Sequence, residues 1–464
     1  MWWPPLTLIT ELVELALSGA NPVMHGSPSL SDTLNYLLYD LTLPHLPSIK
    51  VFALVVPLYL QAWLLLVRQT DTTRLLRAAL IPFAIYYSYT ITLYDFEPRI
   101  PFRAFNFIKN VAFPVGIAKS LELGLVKDRY RWIGYDAAYQ KRQDVPSKKA
   151  EHSQEPPPPQ LFSIEAINDA FSLMLSHRGH GWNWGIKGDL IPTPFPQDTF
   201  LKTVLLDHMR SHALLILSIS SIQYSRFPLK NNNFLEGLGL PSFPGSTYLS
   251  DAVVAIVFGT AVWNFLDLAY TEVAIAAYLL HKIAKKCLPK RLGLPDFDSR
   301  AWPPLLQNPL RSSSLADWWT YRWHSILCRE FIIVGFKPAR YLTQWMGRDI
   351  SSLFGVLGAF AASGVLHEVA IYMATDEIPL DKRFPSIRFF MCQGLGLVAE
   401  QVFTRATGRK VGGWPGRFWL LLTLGFPGAE VTKAWLGRGL IESQPTPEEW
   451  EWWRWAIPAL VYLS

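Results

Sequence analysis

ISSLFGVLGAFAASGVLHEVAIYM, from Ile350 to Met373, is 24 residues long and holds only two ionisable side chains, His367 and Glu368. A bilayer core about 30 Å thick is crossed by roughly 20 helical residues. The stretch therefore has the length and polarity of a membrane span. The same pattern lies upstream. Val51–Val67 and Ala78–Tyr94 each run 17 residues without a charge, and Tyr248–Leu280 runs 33 with only Asp251, Asp267 and Glu272. That last run is longer than one span needs, so it predicts either a tilted helix with an overhang or two broken segments. Shorter or more polar runs at Thr33–Leu46, Val111–Val126, Val204–Tyr224, Ile387–Thr404, Phe418–Thr432 and Trp453–Ser464 extend the series. A soluble core hides one such helix, but hardly six. The prediction is an all-α fold, a polytopic transmembrane helical bundle of about 7–10 spans.

Averaged over 464 residues, this pattern is diluted. Hydrophobic residues make up 50%, close to the roughly 45–50% of a soluble protein. Charged residues, at 17%, fall well below the usual quarter or so, and the 19 tryptophans suit membrane interfaces. Such a composition excludes disorder for most of the chain. Met1–Pro5 has no positive charge and the run after it contains Glu11 and Glu14, so a cleavable signal is not expected.

Charge placement predicts an orientation. Lys127–Lys149 holds seven basic and three acidic residues, His281–Arg291 five basic and none acidic, and Arg405–Arg417 four basic and none acidic. Asp376–Lys382 and Glu442–Glu451 are mostly acidic. With single spans between them the basic loops fall on one side, which the positive-inside rule makes cytosolic. Nucleic-acid binding is not expected from basic residues spread in this way. The longest polar insertion contains four consecutive prolines, Pro156–Pro159, and polyproline is extended and packs no core. Three regions follow: N-terminal transmembrane segments over 1–126, a cytosolic proline-containing insertion over 127–200 that reads as a linker, and a transmembrane core over 201–464. Cys287, Cys328 and Cys392 lack metal spacing, so neither a disulfide nor a zinc cluster is expected.

Ionisable residues inside apolar spans are expensive, and each is a functional candidate. His367 follows Ala361-Ala362-Ser363-Gly364, small residues that let a helix or a ligand approach closely. A buried imidazole tends to stay neutral and can accept a proton. Glu368 points about 100° away on a helix, so it is not expected to orient His367 directly. Spacing alone leaves open a structural histidine bonded to a neighbouring helix. A second group is Asp317-Trp318-Trp319-Thr320-Tyr321-Arg322-Trp323-His324. Arg322 offers a planar donor fork, His324 a hydrogen bond, and Trp318, Trp319 and Trp323 a slot for an apolar ligand. An interfacial amphipathic helix would use the same residues. His208 and His212 have i,i+4 spacing, but without a third ligand metal binding is not expected.

Asp317-Trp318-Trp319 with Arg322-Trp323-His324, followed by Ser363-Gly364-x-x-His367-Glu368, resembles the wax synthase-like branch of the membrane-bound O-acyltransferases. Arg178-Gly179-His180-Gly181-Trp182-Asn183-Trp184 is similar to the R-G-x-G-W-x-W stretch of its fungal members. The resemblance implies transfer of an acyl group from acyl-CoA, a co-substrate and not a bound cofactor, to a hydroxyl of a lipophilic alcohol acceptor. His367 would be the general base, and His324 would hydrogen-bond the carbonyl oxygen. Asp317, Trp318, Arg322, Trp323 and Glu368 would be substrate-binding residues. No metal is implied. The expected partners are the acceptor, acyl-CoA and the lipid bilayer, in the endoplasmic reticulum. Fungal members favour acetyl transfer to a terpenoid or meroterpenoid; long-chain wax ester or sterol ester synthesis is the alternative. A secondary transporter also carries intramembrane charges, but the internal repeats it usually shows are not found.

Overall fold

In the computed structural model the described residues are 48–93, 103–139, 159–160, 162–185, 191–224, 233–287, 289, 296–323, 325–374, 381 and 383–440. His324 and the runs Thr33–Leu46 and Trp453–Ser464 lie outside them. The described apolar runs form helices: α1 Ser48–Leu66, α2 Asp71–Ala79, α3 Ile81–Thr92, α4 Arg103–Leu125, α5 Ile164–Leu175, α6 Phe200–Tyr224, α7 Ser246–Cys287, α8 Arg348–Met373, α9 Pro385–Thr407 and α10 Gly413–Leu436. Among the described residues there is no β-strand, only an antiparallel bridge between Trp132 and Trp182. Two helices among the described residues, α7 and α8, are long and apolar enough to cross a membrane.

The run Tyr248–Leu280 proves to be part of one unbroken helix. At 1.5 Å per residue, the 42 residues of α7 span about 63 Å, twice a bilayer core of about 30 Å. Its last turn holds Lys285 and Lys286, so the overhang ends in positive charge. The run Ala78–Tyr94 divides instead. It is shared between α2 and α3 because Pro82, in the first turn of α3, has no N–H to continue the preceding helix.

α6, α7 and α10 pack side by side, α8 packs on α9 and α4, and α1 carries α5. Leu215, Phe258, Leu268, Ile371, Val431 and Trp435 form the core that joins α6, α7, α8 and α10. A second core of Leu65, Leu123, Leu173 and Trp182 joins α1, α4 and α5 to the loop after α5.

The insertion is not a linker in its described parts. Trp182 is 1% exposed, the Gly181 carbonyl accepts from the N–H groups of Ile133 (2.7 Å) and Gly134 (3.2 Å), and Asn183 bonds the backbone of both Arg129 and Arg131. The prolines cluster at 156–159, and Pro156–Pro158 lie outside the described residues. The flanks carry enough apolar surface, Leu173, Met174 and Trp182 among it, to be buried.

Candidate active site

His367 lies in the C-terminal half of α8, in contact with three aromatic rings. Phe390 of α9 is 4.5 Å away between ring centroids, Trp435 of α10 5.8 Å and nearly parallel at 17°, and Phe107 of α4 6.3 Å. The imidazole Nδ1 is 2.8 Å from the carbonyl oxygen of Ser363, one turn earlier. A carbonyl has no proton to give, so Nδ1 donates; in the neutral ring Nε2 then carries the lone pair. The backbone of α8 thus selects the tautomer, with no neighbouring carboxylate needed.

The residues around His367 set its surroundings. A Cβ on Gly364 would lie 2.7 Å from the Ile387 Cα, so glycine is what lets α9 cross α8 at this level. Glu368 is 5% exposed and turned away from the imidazole. Its Oε2 accepts the Ser386 N–H at 2.8 Å. Pro385 begins α9 and has no N–H, so Ser386 offers the first free donor of that helix. In turn the Ser386 hydroxyl accepts from the Trp435 indole N–H at 3.1 Å.

Asp317 and Arg322 are paired across a turn of π-helix, Trp318–Arg322. Arg322 Nε donates to both Asp317 oxygens (3.0 and 2.9 Å), and its Nη1 donates to the carbonyls of Gln307 and Asn308 (3.0 and 3.3 Å). Nε and Nη1 of the donor fork are thus bonded within the chain. Trp318 stacks on Trp323 at 5.3 Å, and Trp323 meets Trp319 at 5.9 Å. Trp319 reaches Phe390 at 6.0 Å. A row of rings, Trp323, Trp319 and Phe390, therefore runs from the residue before His324 to the imidazole of His367. The structure brings Trp318, Trp323 and His367 into this one aromatic assembly, whereas Asp317, Arg322 and Glu368 turn to backbone groups beside it.

Comparison with known proteins bears on the same residues. Residues 302–392 match the Membrane bound O-acyl transferase family. The chain is 32% identical to "Probable long-chain-alcohol O-fatty-acyltransferase 7" of Arabidopsis thaliana over 29% of its own length and 38% of the relative's. It is 25% identical to "O-Mevalon transferase macI" of Penicillium terrestre over 52% and 54%. To "Acyl-CoA--sterol O-acyltransferase 1" of Arabidopsis thaliana it is 22% identical over 42% and 50%. Over residues 302–392 the chain is similar to the Membrane bound O-acyl transferase family. It aligns with about half or less of the length of these relatives. The family is membrane-bound, in keeping with the two long apolar helices.

Several residues at the site escaped the sequence reading. Glu400 of α9 accepts the backbone N–H groups of Leu315 (2.8 Å) and Ala316 (3.0 Å), holding the start of the Asp317–Arg322 turn. Gln393, one heptad earlier, accepts from the Trp319 indole at 3.3 Å and donates to the Thr423 carbonyl at 2.7 Å. Both are polar side chains inside an apolar run, the signal that singled out His367. Trp435 carried no such signal, because a tryptophan stacked on a histidine and one at a headgroup look alike in sequence. His208, weighed as a metal ligand, has its Nδ1 3.1 Å from the Thr271 hydroxyl.

The R-G-x-G-W-x-W stretch lies against the same region. Arg178 Nη2 donates to the carbonyls of Pro304 and Leu305 (3.3 and 2.8 Å), and His177 Nδ1 is 2.7 Å from Glu330 Oε1. Arg329 Nε donates to Glu122 of α4 (2.7 Å) and its Nη2 to the Tyr130 hydroxyl (2.7 Å). Burial and the neighbouring Glu122 carboxylate push the Tyr130 hydroxyl far above its usual range.

Proposed function

We propose that the chain is a polytopic membrane enzyme that transfers an acyl group from acyl-CoA to a hydroxyl of a lipophilic acceptor, with His367 as the general base. The observation that carries this reading is the Nδ1 contact with the Ser363 carbonyl, which leaves Nε2 of the neutral ring as the proton acceptor. An alcohol is too weak an acid to ionise beforehand, so Nε2 takes the hydroxyl proton as the oxygen attacks the thioester carbonyl. The C–O bond forms, the C–S bond breaks, and the imidazolium returns its proton to the leaving thiolate. The products are an ester and free CoA thiol. His324 donates a hydrogen bond to the carbonyl oxygen as charge develops there. The aromatic row provides an apolar lining for the chain of the acceptor or donor. Basic loops face the cytosol, where CoA is, and the acceptor enters from the lipid of the endoplasmic reticulum.

Acetyl transfer to a terpenoid or meroterpenoid is the finer reading, supported by the fungal R-G-x-G-W-x-W stretch and the similarity to a Penicillium transferase. Long-chain ester synthesis is favoured by the similarity to plant long-chain-alcohol O-fatty-acyltransferases. Purified enzyme assayed with acetyl-CoA and palmitoyl-CoA against a panel of lipophilic alcohols separates the two; use of long chains alone would sink the acetyl reading. His367→Ala is expected to lose about 10²–10⁴ in turnover. Wild-type ester formation by that variant, correctly inserted, would show that His367 is not the base.

A further inference from the structure

We propose that Glu368 is a positioning residue for His367, acting through Ser386 and Trp435 rather than on a substrate; the proposal rests on the reading of His367 as the base. Three contacts carry it. Glu368 Oε2 accepts the Ser386 N–H at 2.8 Å, the Ser386 hydroxyl accepts the Trp435 indole N–H at 3.1 Å, and the Trp435 ring stacks on His367 at 5.8 Å and 17°. The first two bonds are buried, where a lost acceptor is not replaced by water. Glu368 thereby fixes the register of α9 against α8 at the level of His367. One turn after Ser386 comes Phe390, 4.5 Å from the imidazole. Both rings nearest the imidazole, Phe390 and Trp435, are thus set by the start of α9, and that start is held by the carboxylate next to His367 in sequence.

The geometry gives the adjacent residues separate tasks. Ser363 fixes which ring nitrogen carries hydrogen, Gly364 lets α9 approach, and Glu368 anchors what approaches. A base misplaced by about 1 Å loses on the order of 10²-fold in rate, so the anchor is felt in turnover and not in binding.

The test is a set of variants read by steady-state kinetics and by NMR of the His367 imidazole, assigned by its loss in His367→Ala. Glu368→Ala is expected to lower kcat roughly 10- to 100-fold while KM for acyl-CoA and for the alcohol stays within about twofold. Glu368→Gln keeps an acceptor for the Ser386 N–H and is expected to restore most of kcat. Because Glu368 also feels the charge of Arg438, the glutamine variant loses thermal stability instead. Trp435→Phe keeps a ring but loses the indole donor, and is expected to lower kcat in the same direction. Combined with Glu368→Ala it adds little, as expected when two residues act through one chain of contacts. The imidazole resonances move in Glu368→Ala and stay near wild type in Glu368→Gln. A raised KM for one substrate with kcat intact would overturn the proposal and make Glu368 a substrate contact. So would an equal loss in the alanine and glutamine variants, or an imidazole spectrum unmoved by Glu368→Ala. Full turnover in His367→Ala together with shifted resonances in Glu368→Ala would refute the base reading and leave the positioning geometry standing.

Discussion

Gly364 is where α9 comes close to α8 beside the imidazole. Any side chain there would drive its Cβ to 2.7 Å from the Ile387 Cα, and backbone cannot rotate aside as a flexible side chain can. Overpacking of this kind costs about 1–3 kcal/mol. Gly364→Ala is therefore expected to lower the midpoint of thermal inactivation in detergent and to reduce turnover, by parting α8 from α9 beside the imidazole. An inactivation midpoint and turnover equal to wild type would mean that the two helices do not meet there. At this scale the sequence was informative where chemistry contradicts its surroundings. His367 and Glu368 are conspicuous in an otherwise apolar run. Trp435 and Phe390, apolar residues among apolar residues, become visible only once three helices are folded together.

Among the elements, α9 does the most positioning. Ser386, Phe390, Gln393, Leu397 and Glu400 recur at intervals of three and four, one face of a helix. Along that face α9 meets Glu368, the imidazole, the Trp319 indole, Leu315 and the start of the Asp317 turn. The run was legible as a helix, but not as the support that aligns the two motifs, since its partners lie up to 85 residues away. Glu400→Ala would leave the N–H groups of Leu315 and Ala316 without their acceptor, at a cost of about 1–3 kcal/mol. The expected outcome is a less stable enzyme with weakened turnover and an unchanged imidazole spectrum for His367. Glu400→Gln, which keeps one acceptor, is expected to fall between. An equal response in both variants would show that the turn depends on the charge of Glu400 and not on its two bonds.

Across the whole molecule, the polar insertion and the motif segment after α7 are bound into one body. This was the part least legible in the sequence. The prolines at 156–159 dominate the composition of the insertion, while the residues that tie it down, His177, Arg178 and Tyr130, find partners 126 to 199 positions away. A buried histidine beside these ties responds to pH. His180 is held at about 3, well below the ordinary 6.5, first by burial and then by the positive charge of Arg178. The unfolded segment takes up a proton near 6.5 and the folded one does not until about 3, so the folded state binds fewer protons between those values. Its stability is complete above pH 6.5 and is lost as the pH falls toward 3, by up to about 1.4 kcal/mol per pH unit. Thermal inactivation in micelles is expected to quicken between pH 7 and pH 5, and His180→Gln, which cannot titrate, is expected to flatten that dependence. An unaltered pH profile in His180→Gln would show that protonation elsewhere loosens the insertion from the motif segment it braces.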